Sequence, residues 1–97
     1  MIKITSLKFL IIWRLKIGPQ VTPQMGQAVI KMADYTEELR KKGKLEKQYH
    51  LVGGHGAVWI SDVESNDELE LMLARSPVYN FAVYEIYPLT EMKPGIL

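Results

Sequence analysis

The chain of 97 residues has no cysteine. That absence excludes disulfides and thiol nucleophiles. It also leaves two histidines, His50 and His55, and scattered carboxylates as the remaining metal ligands, so no metal site is expected. A charge of one sign is missing too. Twelve basic residues stand against 11 acidic ones, and the resulting net charge of +1 makes no electrostatic case for nucleic acid. The local run Lys41, Lys42, Lys44 and Lys47 reads as a solvated helix end. Long apolar stretches are lacking as well. The run from Phe9 to Trp13 is too short for a signal-peptide core, and nothing approaches the roughly 20 apolar residues of a membrane span, so a cytoplasmic location is expected.

What is present is the composition of an ordinary globular domain, 47% apolar and 24% charged. A single domain is expected over residues 1–97, with an N-terminal extension over residues 1–6 and a C-terminal tail over residues 89–97. A chain this short buries a modest fraction of its surface and has no disulfide to help. Burial in an oligomer is therefore its expected route to further stability.

Residues 7–16 are rich in β-branched and aromatic side chains and end at Gly18-Pro19, which predicts a first strand. Phe9, Ile11, Trp13 and Leu15 share one face. Leu10 and Ile12 lie on the other before it turns polar at Arg14 and Lys16, the pattern of a central strand covered on both sides. Thr22-Pro23 is a helix start, and Met25, Ala28, Val29, Met32, Ala33 and Leu39 recur at helical spacing. That helix should stop at Lys41-Lys42-Gly43, with Gly43 taking the left-handed cap. Residues 45–52 and 57–63 form a hairpin about the turn Gly53-Gly54-His55-Gly56. Ser65-Asn66-Asp67-Glu68 fits a capping box ahead of a second helix with Leu69, Met72 and Leu73 inside, ended by Pro77. Residues 81–87 alternate as a fourth strand, bounded by Pro88.

The order strand, helix, strand, strand, helix, strand is the split βαβ arrangement. It implies an α+β, ferredoxin-like βαββαβ fold, a four-stranded antiparallel sheet with both helices on one face. The second face cannot be wholly polar in any register. Trp13, Trp59, Tyr49, Tyr84 and Tyr87 are too many large side chains to leave in water, so a partner sheet from a second copy is the expected cover. Aromatics on a four-stranded sheet also occur in RNA-binding domains, but the glycine-aromatic signature of those strands is absent.

From Gly43 to Leu89 the sequence resembles the muconolactone isomerase family of dimeric α/β barrels. The resemblance rests on Gly43, Gly53, Asp62-Val63, Ser65, Leu69, Pro77 and Leu89. It implies a dimeric α/β barrel that assembles further, and proton removal and return beside a lactone or enol carbonyl with no metal and no organic cofactor. The family's histidine follows directly on the glycine matching Gly53. Here that place is Gly54 and His55 comes one residue later, an offset that reverses the face a strand residue meets. The family's basic residue on the preceding strand corresponds to His50.

Three residues stand out for proton transfer. His50 lies on a predicted strand and belongs to the residue type that ordinarily changes charge near neutral pH. Glu85 lies between Val83 and Tyr87 on one face, where an apolar setting is expected to raise its pKa and make it a base. Asp62 ends the third strand and either orients a histidine or leads into the helix start. Arg14 can balance Glu85 across the sheet or hold a substrate carboxylate. Trp13, Tyr49, Trp59 and Tyr84 are candidate walls of a cavity for a small flat ligand, with His55 at its glycine-lined edge. These features point to a cofactor-independent isomerase-like enzyme acting on a small lactone or oxygenated organic acid. The alternative is a non-catalytic small-molecule-binding or structural oligomer of the same barrel type.

Overall fold

The computed structural model of the chain describes residues 6–17 and 21–95. Most of the extension expected over residues 1–6, and the Gly18-Pro19 stop of the first strand, lie outside them. The elements run β1 (Leu7–Leu15), α1 (Pro23–Lys41), β2 (Leu45–His50), β3 (Gly56–Val63), α2 (Asn66–Ala74) and β4 (Ala82–Leu89), with one 3-10 turn at Tyr79–Phe81 before β4. The strands form one antiparallel sheet in the order β2-β3-β1-β4. With both helices packed on one face, this is the ferredoxin-like fold, and β1 is central as its two apolar faces require.

Helix α1 begins where Thr22 Oγ1 accepts a hydrogen bond from the Met25 amide at 3.2 Å and Pro23 supplies the first helical φ. Its buried stripe is Met25, Ala28, Met32, Thr36 and Leu39. Val29 and Ala33, expected inside, face outward. Steps of three, four, four and three keep a straighter line along a 3.6-residue helix, so Thr36 takes the inner place and its hydroxyl donates to the Ala33 carbonyl. At the C-terminus Gly43 has φ +74°. Its amide donates to the Arg40 carbonyl and the Lys44 amide to that of Leu39, the two bonds of a Schellman cap.

The β2–β3 hairpin turns earlier than expected, over residues 51–55, one residue more than the expected turn. Strand β2 ends at His50 because the turn begins at Leu51, whose carbonyl accepts from the Gly54 amide while Gly53 adopts φ +76°. Gly56 belongs to β3 opposite Arg14, and a Cβ there would overlap the Trp13 carbonyl oxygen, so only glycine lets the strands approach. A bulge at Glu46 interrupts the register.

Ser65 caps α2 by accepting from the Glu68 amide at 3.0 Å. The return bond of the capping box goes one residue further back than expected, from the Glu64 amide to Glu68 Oε1. Strand β4 runs through Pro88 to Leu89, two residues beyond its expected end. As an edge strand it pairs on one side only, where a proline is tolerated. Between sheet and helices, Ile11, Trp59, Val63 and Val78 are almost fully enclosed. Each fully buried aliphatic side chain contributes about 1.5–3 kcal/mol relative to exposure.

Candidate functional site

Antiparallel partners share a face of the sheet, so the register sorts the sequence-predicted site residues onto two surfaces. On the helix side one cross-strand row reads His50, Ala57, Trp13, Tyr84. Trp59 lies on the same face and meets Trp13 edge to face, with ring centroids 6.1 Å apart. Three aromatics named from the sequence therefore meet in the interior, and His50 stands at the exposed end of their row with the small Ala57 between it and Trp13. His55 sits in the neighbouring turn. Its carbonyl accepts from the Leu15 amide, fixing the turn against the end of β1.

Several polar atoms of the interior have no hydrogen-bond partner of good geometry among the described residues. Trp13 Nε1, Trp59 Nε1, Ser61 Oγ and the Tyr84 hydroxyl are all buried without a hydrogen-bond partner. Burial pushes the Tyr84 phenol above its ordinary pKa, and Ser76 nearby eases that shift without closing a bond of good geometry.

The open face of the sheet carries Arg14, Tyr49, Asp62 and Glu85, around a centre of half-buried Leu10, Ile12, Val58 and Ile60. Arg14 Nη1 donates to Glu85 Oε1 at 2.7 Å, and the Tyr87 hydroxyl donates to Glu85 Oε2 at 2.8 Å. These bonds, that from Tyr87 first and that from Arg14 second, hold the Glu85 carboxyl below the usual carboxylate range. The expected upward shift does not occur, because Val83 and Tyr87 leave Glu85 open to solvent and the tyrosine offers it a hydroxyl. Across the sheet, Lys8 pairs with Glu46 at 3.0 Å and lies opposite Asp62. Tyr49 is 56% exposed.

His50 and Glu85 do not meet within one chain. They occupy opposite edge strands and opposite faces, three strand spacings or about 14 Å apart. A feature the sequence did not signal is a groove of about 490 Å³ on the outer surface between α1 and α2, bordered by Tyr35, Lys42, Lys44, Leu71 and Arg75. Its wall is stapled by Lys42–Glu38 at 2.8 Å and Lys44–Glu68 at 2.9 Å. These residues lie far apart along the chain and only the packed helices join them. None of the candidate site residues named from the sequence lines it, although Lys42 and Lys44 of the basic run do. Among the described residues no group of three or more acidic or histidine side chains could hold a metal, and no helix is long and apolar enough to cross a membrane.

The family model of muconolactone delta-isomerase matches residues 7–93, the whole sheet and both helices. The chain belongs to the muconolactone delta-isomerase family. A muconolactone delta-isomerase of Rhodococcus opacus is 35% identical over 65 residues, which are 67% of this chain and 70% of that protein. One of Acinetobacter lwoffii is 38% identical over 62 residues, 64% of this chain and 65% of the relative. The crystal structure of a muconolactone isomerase superposes with a TM-score of 0.81 over 93% of this chain and 95% of the other at 18% identity, a likeness of fold. Membership of this family supports an isomerase-like function for the chain.

Proposed function

We propose that the chain is a cofactor-independent isomerase of the muconolactone isomerase type, moving one proton on a small lactone or oxygenated organic acid. The observation that carries this reading is the family match over residues 7–93, joined to the row that sets His50 beside an aromatic interior rich in unpartnered donors. A hydrogen on carbon conjugated with a lactone carbonyl is acidic enough to need no metal, provided the oxygen that receives the electron pair is stabilised. His50 takes the proton, the pair moves to the carbonyl oxygen, and the proton returns at a second carbon of the conjugated system. Nothing else enters or leaves.

In this reading Arg14, Glu85, Tyr87 and Asp62 serve the open face. That face pairs with the same face of a second copy, apolar centre on apolar centre with the charged pairs at the rim. Glu85, held ionised by Tyr87 and Arg14, anchors the assembly instead of acting as the base. Tyr49 and His55 border the two surfaces, and the assembly works in the cytoplasm.

Turnover of muconolactone, followed by ultraviolet absorbance, tests the reading. Removing a general base lowers rates by about 10²–10⁴-fold, so His50→Gln should lose at least about a hundredfold in kcat. Full activity in that variant would sink the assignment of His50. An intact wild-type assembly that turns over no lactone or dienoic acid would favour the non-catalytic alternative, which the close Trp13–Trp59 packing of the interior supports.

A further inference from the structure

The groove between α1 and α2 has no part in the proton-transfer reading, and its walls follow from helical spacing. Leu71 on α2 and Arg75 at its C-cap stand four residues apart, as do Tyr35 and Leu39 on α1. Each pair therefore shares one helix face, with Cβ atoms about 5–6 Å apart. The groove reaches down to the buried Leu39 and Met72, while Leu71 on its wall is 52% exposed. The Tyr35 hydroxyl donates to the Met72 carbonyl and ties the two walls together. A volume of about 490 Å³ falls within the range of about 300–1,000 Å³ usual for small-molecule sites.

Three cations border the groove, and they are not equivalent. Lys42 is held by Glu38 at 2.8 Å and Lys44 by Glu68 at 2.9 Å. Among the described residues Arg75 has no carboxylate partner. Burial first and Glu38 second raise the pKa of the Tyr35 phenol, and Arg75 works against them, so its charge acts on the wall of the groove. The remaining acid of the rim, Asp67, lies in the first turn of α2, eight residues or about 12 Å along the axis from Arg75. The C-terminal end of the helix is itself weakly negative, by about half a charge, and the full charge of Arg75 outweighs it.

We infer that this groove is a second ligand site of the chain and takes a small carboxylic acid with an apolar ring. The Arg75 guanidinium donates a two-pronged hydrogen bond to the carboxylate, and the ring covers Leu71 and reaches Met72 between the helices. Leu71 lies one helical turn before Arg75, which suits a ring joined to its carboxylate by a short chain. A cationic ligand is repelled at Arg75, and a neutral one leaves the guanidinium unused. The site is on the outer surface of the helices, and its binding does not rest on the isomerase reading above.

Methionine supplies the reporter. The chain has five methionines, and Met72 lines the groove. Its ε-methyl signal in a ¹³C-methyl-labelled sample is the one that disappears in Met72→Leu. The probes are 3-phenylpropanoate and its neutral amide. The acid should move the Met72 signal saturably in the millimolar range, as fits a ligand of few atoms, and leave that of Met25 near the other end of α1 in place. The amide should bind about threefold to tenfold more weakly, the worth of one partly exposed charge-assisted pair. Arg75 is exposed, so Arg75→Gln should keep the melting temperature of the free chain and abolish the preference for the acid. A Met72 signal unmoved by the acid, an amide that binds as tightly, or a preference that survives in Arg75→Gln would overturn the inference.

Discussion

Gly56 and Ser61 sit on the same strand and are opposite tests of how tightly the interior is specified. At Gly56 a Cβ would overlap the Trp13 backbone, so Gly56→Ala must part β3 from β1. Gly43→Ala meets no atom within 4 Å, but φ +74° is costly for a residue with a Cβ, by about 1–2 kcal/mol. Urea melts should rank Gly56→Ala as the more damaging of the two, and the reverse order would mean that the hairpin does not lie against β1 as described. Ser61 is fully enclosed with an unpartnered hydroxyl. Ser61→Ala should therefore be neutral or stabilising by up to about 1–2 kcal/mol, since it removes a buried polar atom that has nothing to bond. A loss above that size would show that the hydroxyl has a partner. Glu85 gives the pH test. Its carboxyl is lowered in the folded chain, so its contribution is present above the ordinary carboxylate range and fades as pH falls through the lowered value. Glu85→Gln should destabilise the protein at pH 7 and cost less as the pH falls through the lowered carboxyl value, and a loss that does not change with pH would contradict the Tyr87–Glu85–Arg14 network.

At the scale of elements, much of the architecture was legible because its signals are local. Thr22-Pro23 and Lys42-Gly43 bracket α1 by capping chemistry that needs no tertiary context, and the Ser65 cap does the same for α2. Thr22→Ala should cost about 1 kcal/mol, read as a lower urea midpoint at unchanged slope. What was not legible depends on neighbours. Both faces of β1 are apolar, so the sequence could not say whether Trp13 or Ile12 meets the helices. The extension of β4 through Pro88 follows from its place at the edge, which pairing alone decides. The Arg14–Glu85 contact was foreseeable from residue types on adjacent strands, but the sign of the Glu85 shift was not, because it turns on the Tyr87 hydroxyl and on exposure. The candidate site was half legible for the same reason. Its residue types were named, yet only the register divides His50, Trp13, Trp59 and Tyr84 from Arg14, Asp62, Glu85 and Tyr49.

For the whole molecule, one sheet face is covered by helices and the other has an apolar centre of half-buried Leu10, Ile12, Val58 and Ile60. If a second copy covers it, Ile12→Lys places a charge on each side of the two-fold contact. It should shift the assembly to monomers in sedimentation while far-ultraviolet dichroism stays the same; an unchanged sedimentation coefficient would place the contact elsewhere. The central claim is that this chain moves a proton on a lactone without help, and its most direct test is incubation of the purified chain, stripped with chelator, with muconolactone in D₂O under proton NMR. The account predicts a displaced ring double bond with deuterium gained at the carbon that receives the proton. A lactone recovered unchanged and unlabelled, from a chain whose fold and assembly are intact, would contradict it.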